Sequence, residues 1–470
     1  MDDQRSRLGV AELIKSTKHK DELDHDLISY NPKPWKINLP FRDYTLKRED
    51  LIPALAGAIG KISLVAAFAM AWATGLGITD PSFITENVRL EIVIASIFAL
   101  FFSGILNPSA SPPGTLAPLI PLVPVMIAAG VHPVPFGIII SLTGFTFARN
   151  GYFQDIVNIN GAGTKAGILI LFGVMGVSSS LQNLQTWSVN SGHSSLFFAI
   201  IFFGMILYLL LTRINAKWLI IPASALLSLI IASLYGLFPS FETGPGLPII
   251  NPVYWWNQRW GIGFGLNLPN FIAAVPFALL VMTMWPLDAL AVKTLQETNY
   301  PPEAKRAMLN MNATFIGVTL RNMVGVLLGG AQTAAVWRSF MIPLATVKRP
   351  IGGSAILLGL FGIAFALLGF PIDISVFPAL VWLVLLLGVF LPMLEIGLSA
   401  IQDRTTASVA LICFVLGIAI SPVVGWSFAV LIENFNLITK SRNGRTLSMR
   451  DKILTIVVFL VSITTYWIAI

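Results

Sequence analysis

Three ionisable residues stand inside otherwise apolar runs, and their chemistry is the first thing the sequence offers. Arg338 lies in "GGAQTAAVWRS" (329–339), Asp288 in "MTMWPLDALAVKTLQE" (282–297), and Lys61 ends "REDLIPALAGAIGK" (48–61). A charge at membrane depth costs a few kcal/mol on insertion scales, so it normally has a partner or a task. For Arg338 the task is to hold an oxyanion bidentately; the alternative is snorkelling to the interface near Lys348. A buried carboxylate such as Asp288 can carry a proton, ligate sodium, or form half of a structural salt bridge. Lys61 precedes Ser111 by the same interval that separates Asp288 from Arg338. It can pair with Asp288, share an anion with Arg338, or snorkel at a helix end.

Such side chains need elements that leave backbone groups free beside them. Gly329 and Gly330 let the chain leave a helix in mid-membrane, and a new helix starting near Thr333 then has unpaired first amides and a positive dipole end facing an anion. Bare backbone at that depth is tolerated only inside protein or beside water, so the site faces an internal cavity. In "NPSASPPGTLAP" (107–118), Pro112 and Pro113 suit the first turn of a helix capped by Ser109 or Ser111. Two half-helix N-termini then point at one another. Ser109, Ser111, Gly114, Thr115, Gln332, Thr333, Ala334 and Arg338 are therefore the candidate substrate-binding residues, with Asp288 and Lys61 as candidate coupling residues. Close helix packing is the competing explanation for the glycines. Arg321 suits a structural or interfacial role.

These segments belong to a chain of 470 residues that is 55% hydrophobic and 11% charged, with a mean hydropathy of +0.78. Soluble domains carry about a quarter charged residues, so this is an all-α polytopic membrane protein. Runs such as Leu196–Leu211 are apolar on every face, which excludes the alternation of a β-barrel. Helices are expected at 51–77, 88–106, 112–130, 133–148, 164–185, 194–212 and 217–238. A second set is expected at 269–294, 308–329, 331–347, 350–370, 375–402, 405–420 and 422–436, with one extra apolar segment at 453–470.

The division is a leader (1–50), a first seven-helix repeat (51–238), a polar loop on the periplasmic side (239–268), a second repeat (269–436), and a basic linker with a last helix (437–470). An odd number of helices per half inverts the second repeat relative to the first, and inverted repeats are a transporter signature. With a cytoplasmic N-terminus the inside loops hold Arg149, Lys165, Arg213, Lys217, Lys305, Arg306, Lys348, Arg349 and Arg404, whereas the long outside loop holds only Arg259. "AGVHPVPFGIIISLTGF" (129–145) also resembles "ATVKRPIGGSAILLGLFG" (345–362), each joining the third and fourth helices of a half.

Other chemistry has little support. Cys413 is a lone cysteine in an apolar run, and the four histidines, His19, His25, His132 and His193, show no ligand spacing, so neither metal nor cofactor is expected. Basic residues cluster beside membrane segments, which accounts for the net charge of +7 without nucleic acid. The polar first 50 residues are no signal peptide and read as a cytoplasmic leader, folded against the membrane domain. No nucleotide-phosphate loop occurs, so transport would be driven by gradients. No Ser-Lys, metal-ligand or paired-Asp constellation points to an enzyme.

The arrangement resembles the seven-plus-seven inverted-repeat transporters: SulP sulfate permeases, bicarbonate exchangers and uracil/xanthine permeases. The SulP branch is most similar. "NATFIGVTLRNMVGVLLGGAQTAAVWRSFMIPLATVKRPIGG" (312–353) resembles the SulP run from an asparagine through Gly-Gly to a half-helix with Arg-Ser and a basic-Pro turn. "REDLIPALAGAIGK" resembles the SulP first-helix entry and "ALICFVLGIAISPVVGWSFAVLIENF" (410–435) its paired thirteenth and fourteenth helices. The resemblance implies that Asp288 matches the acidic residue associated with ion coupling and Arg338 an anion-site arginine. It also implies a core (gate) domain of helices 1–4 and 8–11, a scaffold domain of helices 5–7 and 12–14, and homodimers through the scaffold. Lys61 departs from the family pattern, and the STAS domain usual in SulP proteins is absent after "KSRNGR".

The sequence thus reads as a secondary transporter of a small, sulfate-like anion in a bacterial-type inner membrane, coupled to H+ or Na+. The rivals are a nucleobase permease on the same fold, an uncoupled anion channel, and a membrane scaffold or sensor with an inactive core. A positive residue in the tenth helix, where nucleobase permeases carry an acid, favours the anion.

Overall fold

The computed structural model describes residues 21–438 and 448–469; His19, the first 20 residues of the leader and the linker around "KSRNGR" lie outside them. Helix occurs within each of the fifteen expected segments, and among the described residues the only β contacts are isolated bridges. The first set comprises α1 (Leu51–Leu76), α2 (Pro81–Ile97), α3 (Val123–Ala128), α4 (Pro133–Asn150), α5 (Ala162–Asn190), α6 (Ser194–Arg213) and α7 (Ile220–Leu234). The second comprises α8 (Leu268–Asn299), α9 (Met311–Leu327), α10 (Arg338–Thr346), α11 (Ile351–Leu368), α12 (Pro378–Ser399), α13 (Arg404–Ala419), α14 (Pro422–Asn434) and the extra α15 (Met449–Ala469). Nine helices among the described residues are long and apolar enough to cross a membrane. This is a multi-pass membrane protein.

Three boundaries differ from expectation for physical reasons. α2 starts at Pro81, well before 88, with Asp80 accepting from the Ser82 amide at 2.9 Å. Glu86, Arg89 and Glu91 obscured that start, yet Arg89 pairs with Glu86 at 3.3 Å and Glu91 with Arg321. The third helix was expected from 112, capped by Ser109 or Ser111, but residues 107–110 make a turn, 111–116 are not helical, and a 3-10 turn begins only at Ala117, with no side-chain cap. Pro112 and Pro113 hold the chain ahead of them extended. The tenth was expected from about Thr333, yet helix begins at Arg338, because residues 333–336 pair with residues 113–116.

The helices pack as two groups. α1, α2, α4, α8, α9, α10 and α11 pack chiefly on one another, as do α5, α6, α7, α12, α13 and α14, while α15 packs on both α14 and α8. The leader closes one end of the first group. Backbone amides of Trp35 and Asn38 donate to the Leu106 and Ile105 carbonyls, each at 3.0 Å, which satisfies acceptors that a helix end leaves open. Arg349, fully buried, grips Asp50 through Nε (3.0 Å) and Nη2 (2.9 Å) and reaches Asp26 at 2.7 Å. Burial pushes the Asp26 carboxyl up, but hydrogen bonds from Lys47 and Arg349 outweigh it and hold it below the ordinary carboxylate value.

The loop 239–268 covers the opposite end of the same group. Trp256 and Trp260 are buried and donate from Nε1 to the carbonyls of Val326 and Gly329, both at 2.8 Å. His132 joins in, its Nδ1 accepting from the Val134 amide at 3.1 Å and its Nε2 lying 2.9 Å from the Gly263 carbonyl.

Candidate functional site

At the centre of the first group two extended segments cross the interior side by side. The Gly114 amide donates to the Ala335 carbonyl at 2.7 Å and the Leu116 amide to that of Thr333 at 2.9 Å, continuing the antiparallel register set by the bridge between Pro113 and Val336. Their approach requires glycine at 114: a Cβ there would lie 2.4 Å from the Trp337 Cα. The second segment leaves α9 at Gly329, whose φ of 105° is open to glycine and strained for other residues.

Unwound backbone at this depth needs polar partners, and buried side chains supply them. Glu91 and Arg321 form a fully buried ion pair. Glu91 Oε1 accepts from the Gln332 amide at 3.0 Å, and Arg321 Nη1 donates to the Gln332 carbonyl at 3.1 Å. The Gln332 amide group donates in turn to the Gly114 carbonyl and Thr115 Oγ1, both at 2.9 Å. Asn322 Oδ1 accepts from the Ala334 amide at 2.7 Å, and Ser111 Oγ from Trp337 at 3.2 Å. Lys61 is buried and donates to the Gly114 carbonyl at 2.7 Å, with its ammonium 5.1 Å from the Trp337 ring centre.

Where the crossing ends, the 3-10 turn at Ala117 and α10 at Arg338 begin, and both open on a cavity of about 170 Å³. Arg338 is the first residue of α10; its Nε stands 3.4 Å from Asp288 Oδ1, and its side chain is 34% exposed. Ser339 follows in the first turn, buried at the cavity wall with an Oγ that has no hydrogen-bond partner. Lys61 and Thr115 complete this polar corner. The facing wall comes from the second packing group and is apolar: Trp218, Ile221, Pro222, Val389 and Pro392. At the rim Lys217 pairs with Glu395 at 2.7 Å, and Tyr208 donates to the same carboxylate at 2.8 Å.

Of the residues singled out from sequence, Lys61, Thr115, Asp288 and Arg338 line this cavity. Ser111, Gly114, Gln332, Thr333 and Ala334 form the paired backbone from which it opens. Ser109 stands apart, its carbonyl accepting from the Asn310 amide at 2.8 Å and its side chain lining a separate opening beside Lys305, Arg306 and the leader. Lys61 does not pair with Asp288, which is taken by Arg338. Sequence reading passed over Ser339, although it closes the "GGAQTAAVWRS" stretch, and over Glu91, which no local pattern links to Arg321. The apolar wall carries no motif at all.

Residues 11–470 match the family model described as a protein of unknown function, DUF3360. The chain belongs to this family. Comparison with curated proteins returns no match. Among solved structures the chain is similar to the murine Solute Carrier 26 family member A9 anion transporter in its inward-facing state, with a TM-score of 0.55 and 10% identity over 85% of this chain and 70% of that one. It is also similar to the transmembrane domain of the cyanobacterium bicarbonate transporter BicA, with a TM-score of 0.51 and 13% identity over 84% of this chain and 100% of that one. The chain therefore shares the fold of these two structures.

Proposed function

We propose that this protein is a secondary transporter of a small anion, bound where the crossing segments give way to α10, with Arg338 as its principal ligand. The observation that carries the reading is the state of Arg338. It is a fixed cation on the first turn of a helix whose dipole adds positive potential, it faces a cavity, and among the described residues its guanidinium has Asp288 at 3.4 Å as its one ion partner. Arg338 is a cation partly exposed to the cavity, and a fixed positive charge there favours an anion over a neutral nucleobase.

Asp288 and an arriving anion compete for one guanidinium. A proton or sodium ion on Asp288 removes that competition, so cation and anion bind best together, which is the thermodynamic content of symport. The cavity lies between the two packing groups, and this supports an elevator-like or rocking motion of the core group against the scaffold group, the latter also forming the homodimer contact. The alternation of helix direction gathers the basic turns at the leader's end, in keeping with a cytoplasmic N-terminus in an inner membrane.

The test is uptake of radiolabelled anions into proteoliposomes by the wild type and by Arg338→Gln. The variant is expected to lose anion binding and uptake together. Unchanged uptake by a folded Arg338→Gln protein overturns the site.

A further inference from the structure

Resting on that reading, we infer that the anion is an organic monocarboxylate with an apolar body, and that an inorganic oxyanion is a poor ligand. The unengaged charge of the cavity is gathered at one corner, and the wall from the second packing group is mostly apolar, its Lys217 and Tyr208 being held by Glu395 at the rim. A sulfate ion presents oxygens in every direction; seated here, those turned toward Ile221, Pro222 and Val389 would lose water without gaining a donor, a penalty of several kcal/mol for a charged group. A carboxylate concentrates its charge at one end. Its two oxygens match the fork of Arg338, and the remainder of the molecule meets Trp218 and the aliphatic wall.

Charge and size point the same way. Arg338 is the one partly exposed cation at the corner, Lys61 being buried and engaged by the Gly114 carbonyl, and the other nearby cation, Lys217, is already neutralised by Glu395. A second carboxylate would have no partner. A volume of about 170 Å³ resembles the ~150 Å³ cavity that accepts a benzene ring, so a ring or a chain of about four to six carbons fits.

The test is a ligand series on the purified wild-type protein, read by thermal shift and by competition in proteoliposome uptake: acetate, butyrate, hexanoate and benzoate against sulfate, bicarbonate and nitrate. Affinity is expected to rise about fourfold per buried methylene along the carboxylates, with benzoate tight and sulfate weak. Val389→Thr is expected to flatten the chain-length gradient. If the inorganic anions bind and the carboxylate gradient is flat, the inference falls while anion transport stands. If no anion in the panel binds or is taken up, the proposed function itself falls, and this inference with it.

Discussion

Arg338 Nε and Asp288 Oδ1 face each other at 3.4 Å, beyond the usual length of an N–H···O bond, at the edge of the central cavity. The pair is close enough to set the charge of the site and loose enough for an anion to intervene. Asp288→Asn removes the competitor and leaves Arg338 in place. The variant is expected to bind its anion up to about fivefold more tightly, in line with ~1 kcal/mol for a partly exposed pair, and its uptake to stop responding to imposed proton or sodium gradients. Uptake with and without each gradient checks this; a gradient response that survives in the variant refutes the coupling role.

The Glu91–Arg321 pair is fully buried and also bonds the backbone of the unwound segment at Gln332. Glu91→Ala strands a guanidinium in the interior and is expected to cost about 3–5 kcal/mol, seen as a large fall in melting temperature in detergent. The double change Glu91→Gln with Arg321→Met is expected to be milder than Glu91→Ala alone, since no charge is then left unpaired.

Arg349 holds the leader by binding Asp26 and Asp50 together. Arg349→Met leaves the buried Asp50 carboxylate uncompensated, again at about 3–5 kcal/mol. Limited trypsin digestion is expected to cut at Arg42, Lys47 or Arg48 in the variant under conditions where the wild type resists. Equal resistance of the two proteins contradicts the clamp.

His132 is expected to make the packing of loop 239–268 sensitive to pH. Its Nδ1 must lack a proton to accept from Val134, and burial, only partly offset by the Gly263 and Ile262 carbonyls, lowers its proton affinity below the ordinary value of 6.5. Because the folded value is the lower one, the neutral form stabilises the fold above pH 6.5, and that contribution is lost as pH falls through the folded value. Fluorescence from the adjacent Trp256, 5.6 Å away, is expected to change on acidification below 6.5, and His132→Gln to abolish the change.

Membrane class and the helical segments were legible because apolar runs of helical length have few other fates. Gly329 and the Pro112-Pro113 pair marked where the helices break, but not where they resume. That depends on the pairing of residues 113–116 with 333–336, a contact between distant parts of the chain. For the same reason Arg338 moved from mid-helix to the first turn of α10, and Ser109, close to Ser111 in sequence, fell outside the cavity. Lys61 read as a coupling candidate because it is charged; its donation to a backbone carbonyl on another element was invisible to spacing. The apolar wall from α7 and α12 had no local signature, since its residues resemble any others that face lipid.

The extra helix α15 meets its two neighbours in unlike ways. Toward the scaffold it is fixed by direction: Asn434 Nδ2 donates to Thr455 Oγ1 at 2.8 Å, Tyr466 to the Ile420 carbonyl at 3.1 Å, and Phe459 stands edge-on to Phe428 at 5.0 Å. Toward α8 it packs, among the described residues, without such bonds, and the nearby Arg450–Asp155 pair is exposed and weak. A helix bolted on one side and smooth on the other has the form of a guide rail. Should α8 travel with the core, it slides along α15 without breaking a buried hydrogen bond, and the last segment of the chain sets the track rather than the load.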